Sequence, residues 1–466
     1  MMRDRLARLA RRVLSDPGPP GPGSVGEVLF CGPLPPARTG IATYDRAVLD
    51  GLARIGCMDR HRIDVVWPFE PRMTPRLHGY HLGVFQLGNN STFHLEPYRA
   101  TYVAPASLIV LHDLALDDFV AALRTLGDPL AFKAYREAEA LRRNLTSPDI
   151  LRNEPLRMPW AAHVARRARG IIVHSSFGRR YLEEIGCRTP VFVVPHPPVE
   201  DPADLRAAEP HARRLREGLA ARGMRSLVVA PGDLNPAKLL EAVLAAAGRL
   251  DDGVHVALVG RRIPGFEPER LVHRSGLGGR VTLAADVSDD DFRAWLLAAD
   301  VVVDLRHPTR GETSGSLSRA MQAGRPAIVS ATGAYLDLPD DHVLHVSAGI
   351  PDPSELGHAL GDLLEDGARR ARMGEAARAH VEELAATDAT ARGYETAIEE
   401  TLALAGDPAH AALGMWAKSL ADLGVDEAVV REGIGVEYAR AFDAFRGSPS
   451  DHRGSDEGPL LDSSAR

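Results

Sequence analysis

Cysteine is scarce: Cys31, Cys57 and Cys187 are the only three in 466 residues, widely separated and forming no C-x-x-C pair, so neither a disulfide framework nor a zinc site is indicated. A basic surplus is also missing. Lys+Arg total 55 against 63 Asp+Glu, a formal net charge of -8, which leaves no field to hold nucleic acid by counterion release. The apolar run of about eighteen residues that a membrane span needs does not occur. The N-terminus lacks the apolar core and small-residue cleavage site of a secretory signal, so the expected compartment is the cytoplasm. Lysine is almost absent: beyond Lys133, Lys238 and Lys418 every basic residue is arginine, and a lysine kept in a loop suggests a need for a compact point charge.

What is present is an ordinary globular mixture, 45% hydrophobic and 25% charged, which excludes collagen-like, coiled-coil and wholly disordered chains. The length exceeds what one core usually supports and predicts two domains. The first fifteen or so residues alternate Leu6, Leu9, Val13 and Leu14 with Arg3, Arg5, Arg8, Arg11 and Arg12. This pattern predicts a short basic amphipathic helix, broken by the Pro/Gly-rich stretch that follows. It reads either as an attachment to an anionic membrane surface, peripheral at the inner face, or as a solvated or self-docking helix, and the absence of aromatics favours the second.

From Gly26 short β-rich runs alternate with helical stretches, at 27–33, 63–67, 83–87, 108–112, 170–174 and 191–194. A polar, proline-punctuated stretch at 195–210 interrupts them, and the alternation restarts at 226–230, 255–259, 280–283, 301–305, 327–330 and 343–346. Apolar runs of this kind predict parallel sheets buried on both faces, hence two tandem doubly wound α/β domains with ligands at the strand C-termini, in the cleft between them. The expected boundaries are an arm and linker at 1–25, domains at 26–205 and 206–404, a helical segment at 405–447 and a disordered tail at 448–466. Within the second domain, helices are expected at 353–384 and 390–404.

Four loops carry the candidate chemistry. The loop ending Gly311-Glu312-Thr313-Ser314-Gly315-Ser316 opens a helix whose free N–H groups and dipole suit a diphosphate. A plain N-cap by Thr313 or Ser314, with Glu312 as dipole partner, fits as well. The loop Gly232 to Lys238, containing Asn235, places Lys238 in the first turn of a helix, an unfavourable position for a cation unless an anion binds there. The strand LIVLHD ends in His112 and Asp113, a histidine that either holds a substrate hydroxyl or satisfies backbone groups. The loop 32–40, with Thr39 and Gly40, is not G-x-G-x-x-G, which removes the main support for dinucleotide oxidoreduction. Asn89, Asn90, His94 and His174-Ser175-Ser176 follow other strands, with helix capping as their alternative reading.

Taken together, PLPPARTGIATY (33–44), QLGNNSTFH (86–94), VLHD (110–113), VPHP (194–197), NPAK (235–238) and LRHPTRGETSGSLSRAMQAGRP (305–326) resemble the retaining nucleotide-sugar glycosyltransferases of family 4, GT-B fold, over 27–404. The resemblance implies a transferase moving a hexosyl group from a nucleoside diphosphate sugar of the UDP or GDP type, with no further cofactor and no metal. The acceptor would be a glycan, a lipid-linked molecule or a small molecule, in polysaccharide or glycoconjugate biosynthesis. It implies donor contacts from Gly232, Asn235, Lys238, Arg306, Glu312, Thr313, Ser314, Gly315 and Ser316. The acceptor side would be Thr39, Gly40, Asn89, His94, His112 and Asp113, with Lys238, Glu312 and His112 as the catalytic set.

The chain departs from the family at three places. Gly232-Asp233 stands where many members have Gly-Arg, leaving Arg261, Arg306 or Arg310 to accompany Lys238. The family's two glutamates, eight positions apart, fall at Gly311 and Arg319. The His-His after the HD motif reads Asp117-Asp118. These departures keep two rivals in view: a catalytically silent sugar-nucleotide-binding subunit, and another GT-B chemistry such as epimerisation or phosphorolysis. The D-x-D at Asp289 to Asp291 reads as a helix cap rather than a metal site.

Overall fold

The computed structural model describes residues 27–71, 77 and 80–405; the N-terminal arm, the expected helical segment beyond 405 and the tail lie outside them. All twelve expected strands form, as two parallel six-stranded sheets. The first runs β1 (Val28–Cys31), β2 (Ile63–Val66), β3 (Leu82–Leu87), β4 (Ser107–Leu111), β5 (Gly170–Val173) and β6 (Val191–Val193), in spatial order β2-β1-β3-β4-β5-β6. The second runs β7 (Ser226–Pro231), β8 (Val254–Gly260), β9 (Val281–Ala285), β10 (Val301–Asp304), β11 (Ala327–Ser330) and β12 (Val343–Val346), in order β12-β11-β10-β7-β8-β9. Val84, Leu108, Ile109, Val110, Val228, Val229 and Val302 have no accessible surface, as expected of strands covered by helices on both faces. The second sheet has two cores, one per face, whereas on the first sheet one face carries one cluster and the other face two.

The strand order reverses between β1 and β3 in one sheet and between β7 and β10 in the other. Ligands of doubly wound sheets bind outside the carboxyl ends at such switch points. The four loops singled out by sequence follow β1, β4, β7 and β10, so the topology sets three of them at the reversals and the fourth one strand away.

Three elements differ from the sequence reading. The stretch expected to be an irregular interruption is largely a helix, Pro202–Ala220, capped by Asp201 and carrying Pro210 inside; its buried Ala208, Ala212 and Leu219 override the proline's local preference. The single helix expected at 353–384 is two, Pro353–Glu365 and Gly367–Ala386, separated at Asp366, whose carboxylate caps the second by accepting from Arg369 N at 2.8 Å. The helix Ala389–Ala405, placed by sequence order with the second domain, packs on the first sheet. There Ala391, Tyr394, Ala397 and Ile398 are buried with Val28, Tyr44, Val48 and Leu52.

Candidate functional site

A cleft of about 560 Å³ lies between the two sheets, and every site residue expected from sequence lines it. Its second-domain wall is charged. Lys238 does not sit in the first turn of a helix, as expected; it ends the 3-10 turn Pro236–Lys238, ahead of the helix Leu240–Ala247. Nor is it exposed: Lys238 is 6% accessible, and Nζ donates to Ser316 Oγ at 2.9 Å and forms an ion pair with Asp304, which ends β10 and is fully buried. Burial pulls the ammonium below its usual value while Asp304 opposes that shift. Gly232 leaves room for this pair: its φ is +106° and a Cβ there would lie 3.0 Å from Lys238 Nζ.

Ser314 serves both readings of its loop. Its Oγ caps the helix Gly315–Gln322, accepting from Leu317 N at 3.3 Å, and also bonds Asp304. A Cβ on Gly315 would meet nothing within 4 Å, so the helix start faces open space with its N–H groups available. Glu312 precedes the cap rather than occupying the first turn. Its carboxylate lies 3.2 Å from Arg306 Nη1 and accepts from Thr309 Oγ1 at 2.9 Å and Arg310 N at 2.7 Å. Burial disfavours its charge, but the Arg306 guanidinium holds its carboxyl below the usual range.

Of the three arginines expected to accompany Lys238, Arg306 and Arg261 line the cleft, and Arg261 pairs with Asp233 at 2.7 Å. Arg310 turns away to Asp117 of the first domain at 3.0 Å, which accounts for Asp117-Asp118 as acidic partners across the domain boundary. At the same boundary a Cβ on Gly311, whose φ is +83°, would fall 2.4 Å from Leu114 Cδ1, so the loop meets the first domain through a bare backbone. The D-x-D aspartates are not the cap: Ser288 is, and Asp289, Asp290 and Asp291 fill the first turn. Asp289 reaches the cleft and pairs with Arg319 at 3.1 Å, while Arg319 lies over the Phe292 ring at 4.3 Å.

The first-domain wall is neutral. His112 follows β4, and its Nε2 lies 2.9 Å from Gln86 Oε1. Gln86 orients it rather than Asp113, whose carboxylate accepts from Asn89 N at 2.8 Å. Burial, and then Glu312 across the cleft, raise the Asp113 carboxyl above its usual range. His112 meets Tyr44 edge-on at 4.7 Å, and His174 and His196 each lie 5.0 Å from the same ring. Burial holds all of these imidazoles neutral: His112 falls well below its ordinary value, His94 and His196 to about 4 and His174 to about 3.

Asn89 is largely occupied in shaping this wall, donating to Asp117 and Asp118 and accepting from Phe119 N. Thr39 caps the helix Gly40–Arg54, and a Cβ on Gly40 would meet nothing within 4 Å. Four buried polar atoms of cleft residues have no hydrogen-bond partner: Asn235 Oδ1, Thr313 Oγ1, His94 Nε2 and His174 Nε2.

The sequence reading named Arg261 only as a stand-in beside Lys238 and His174 only among strand-end residues that could equally be caps, and it gave Tyr44, His196, Asp289 and Arg319 no place in the site. A signal for the histidines existed: LHD, VHSS and VPHP each place one just past a strand, and β4, β5 and β6 are neighbours.

Residues 212–380 match the family model of glycosyl transferases group 1. A D-inositol 3-phosphate glycosyltransferase of Xylanimonas cellulosilytica is 31% identical over 188 residues, 39% of this chain; the chain spans 43% of that relative's length. HepE of Anabaena, solved with UDP-glucose, superposes with a TM-score of 0.55 at 16% identity, over 80% of this chain and 99% of that one. Sucrose-phosphate synthase of Thermosynechococcus elongatus gives 0.53 at 19%, over 79% and 98%. The catalytic domain of starch synthase IV from Arabidopsis thaliana gives 0.51 at 12%, over 82% and 100%. The architecture is the GT-B fold of these solved neighbours. Among the described residues no helix is long and apolar enough to cross a membrane.

Proposed function

We propose that the chain is a glycosyltransferase that moves a hexosyl group, with retention and without a metal ion, from a nucleoside diphosphate sugar to an acceptor held by the first domain. One observation carries this reading: a single cleft sets Lys238, Arg306 and an open helix N-terminus opposite a wall of neutral imidazoles. Positive groups aimed at a diphosphate stabilise the charge that develops as it leaves. Neutral rings suit sugar hydroxyls, and Asn235, Thr313, His94 and His174, which line the same cleft, each carry a polar atom without a hydrogen-bond partner.

In this reading the bond from the anomeric carbon to the phosphate oxygen breaks on the Lys238 side. The acceptor oxygen bonds to the same carbon from the same face, and its proton passes to the departing phosphate. His112, kept neutral and oriented by Gln86, positions a hydroxyl rather than taking the proton. Asp289, Asp290 and Asp291 are held by Arg319, Arg293 and Ser288, so this D-x-D supports a structural role and not a metal-bound diphosphate. The acceptor is a glycan, a lipid-linked molecule or a small molecule, and the product belongs to polysaccharide or glycoconjugate assembly.

A silent donor-binding subunit draws support from the acid that already faces each cleft cation: Asp304, Asp233, Glu312 and Asp289. The test is a calorimetric screen of UDP-, GDP- and ADP-sugars, followed by assays of hydrolysis and transfer. Binding of one class with slow hydrolysis supports the transferase. Binding without turnover in any acceptor mixture supports the silent subunit, and no binding overturns both.

A further inference from the structure

On the far side of the first sheet, the helix Ala389–Ala405 docks against the short helix Cys57–Arg60 and its cap His61. Cys57 and His61 are four residues apart, as are Glu395 and Glu399 on the facing helix, so each pair lies on one face of its element. The Cys57 thiol, an imidazole nitrogen of His61 and a carboxylate oxygen of Glu395 all lie within 4.8 Å of one another. His61 Nε2 is buried without a hydrogen bond, and Glu399 Oε1 stands 3.5 Å from it. Arg60 pairs with Glu395 and donates to Ile55 O at 2.9 Å.

We propose that Cys57, His61 and Glu395, with Glu399 as the fourth ligand, form a Zn²⁺ site that staples the closing helix to the first domain. The donor set is the argument. Sulfur, nitrogen and carboxylate oxygen from two i, i+4 pairs suit a tetrahedral zinc ion and not the all-oxygen shells of magnesium or calcium. Zinc bonds of about 2.0–2.3 Å set ligand atoms roughly 3.3–3.8 Å apart, so the Cys57, His61 and Glu395 atoms close by up to about 1.5 Å through side-chain rotation, and Glu399, which lies outside their group, swings in from beside His61. Glu395 then exchanges Arg60 for the metal. The Arg60 side chain is 51% accessible and swings outward, keeping its bond to Ile55 O. The site was hidden in the sequence because a C-x-x-x-H pair acquires its carboxylates only from a helix near the other end of the described chain.

The test uses full-length protein stripped of metal by a chelator and titrated with Co²⁺ and then Zn²⁺. The expected Co²⁺ complex is tetrahedral, with strong visible absorption and a near-ultraviolet thiolate-to-metal band, and one equivalent of Zn²⁺ displaces it. Zn²⁺ raises the melting temperature of the wild type. The thiolate band is absent in C57A and persists in C187A, and H61A weakens binding by about 10²-fold. If C57A does not fold, the wild-type spectrum and H61A decide. A weak octahedral Co²⁺ spectrum without a thiolate band, a band that survives C57A, or melting indifferent to Zn²⁺ overturns the proposal.

Discussion

The two walls of the cleft solve opposite electrostatic problems with the same scaffold. The second-domain wall buries cations and pairs each with an acid, Lys238 with Asp304 and Arg306 with Glu312. The first-domain wall buries four histidines and pairs none with an acid, so they stay neutral. Burying a charge is costly unless it is paired, whereas a neutral imidazole needs only hydrogen bonds. One wall is therefore suited to a charged leaving group and the other to hydroxyls, although both are strand ends of parallel sheets.

The sharpest way to break this contrast is Lys238→Ala. Transfer should fall about 10²-fold or more, and stability should fall too, by about 3–5 kcal/mol, because Asp304 is left buried and unpaired. Lys238→Met combined with Asp304→Asn separates the two effects: urea unfolding should recover while turnover stays low, and a recovered turnover would show that the charge is not used. Next comes His112→Ala on the neutral wall, expected to lower transfer by about 10–10²-fold. Calorimetry should find nucleoside diphosphate affinity unchanged, and a joint collapse would erase the division between walls.

Glu312→Gln is expected to cost about 1.5–3 kcal/mol in chemical unfolding, since its carboxylate ties Arg306, Thr309 and Arg310 together. If Glu312 also orients Arg306 toward the donor, kcat/KM falls with it; a pure brace leaves transfer intact. A last effect is set by pH. The folded-state pKa values of His94, His174 and His196 lie at about 3 to 4, below the unfolded value of about 6.5. Their contribution is therefore present above about pH 6.5 and lost as pH falls through the folded values. Unfolding midpoints should decline from pH 7 to 5, and His174→Gln should flatten that decline; an unchanged slope would mean the cluster titrates normally.

Much of this was legible in the residues. The twelve strands were readable because a strand covered on both faces must be an uninterrupted apolar run, as at Leu108–Val110 and Val301–Val303. The loops after β1, β4, β7 and β10 were readable because glycine, lysine and histidine at strand ends have few other uses. What escaped depended on distant partners. Nothing local to Lys238 announces Asp304, and Pro210 argues against a helix that tertiary burial imposes. The heptapeptide around Tyr394 does not reveal that its hydroxyl meets Tyr44 OH at 2.9 Å and Gln86 Nε2 at 3.2 Å. That contact links the closing helix, through Gln86, to His112.

The position of that closing helix also sets an order of events during synthesis. Residues 391, 394, 397 and 398 complete the core beneath β1, β3 and β4, so the sheet made first by the ribosome is finished last. The second sheet, with its own helices on both faces, has every strand it needs once Val346 has emerged. The nascent N-terminal half must meanwhile hold an apolar face open, the kind of surface that chaperones occupy. Severing the chain after residue 205 would leave that face covered by the helix Gly40–Arg54 alone, so the N-terminal half is expected to need residues 389–405 to complete its core.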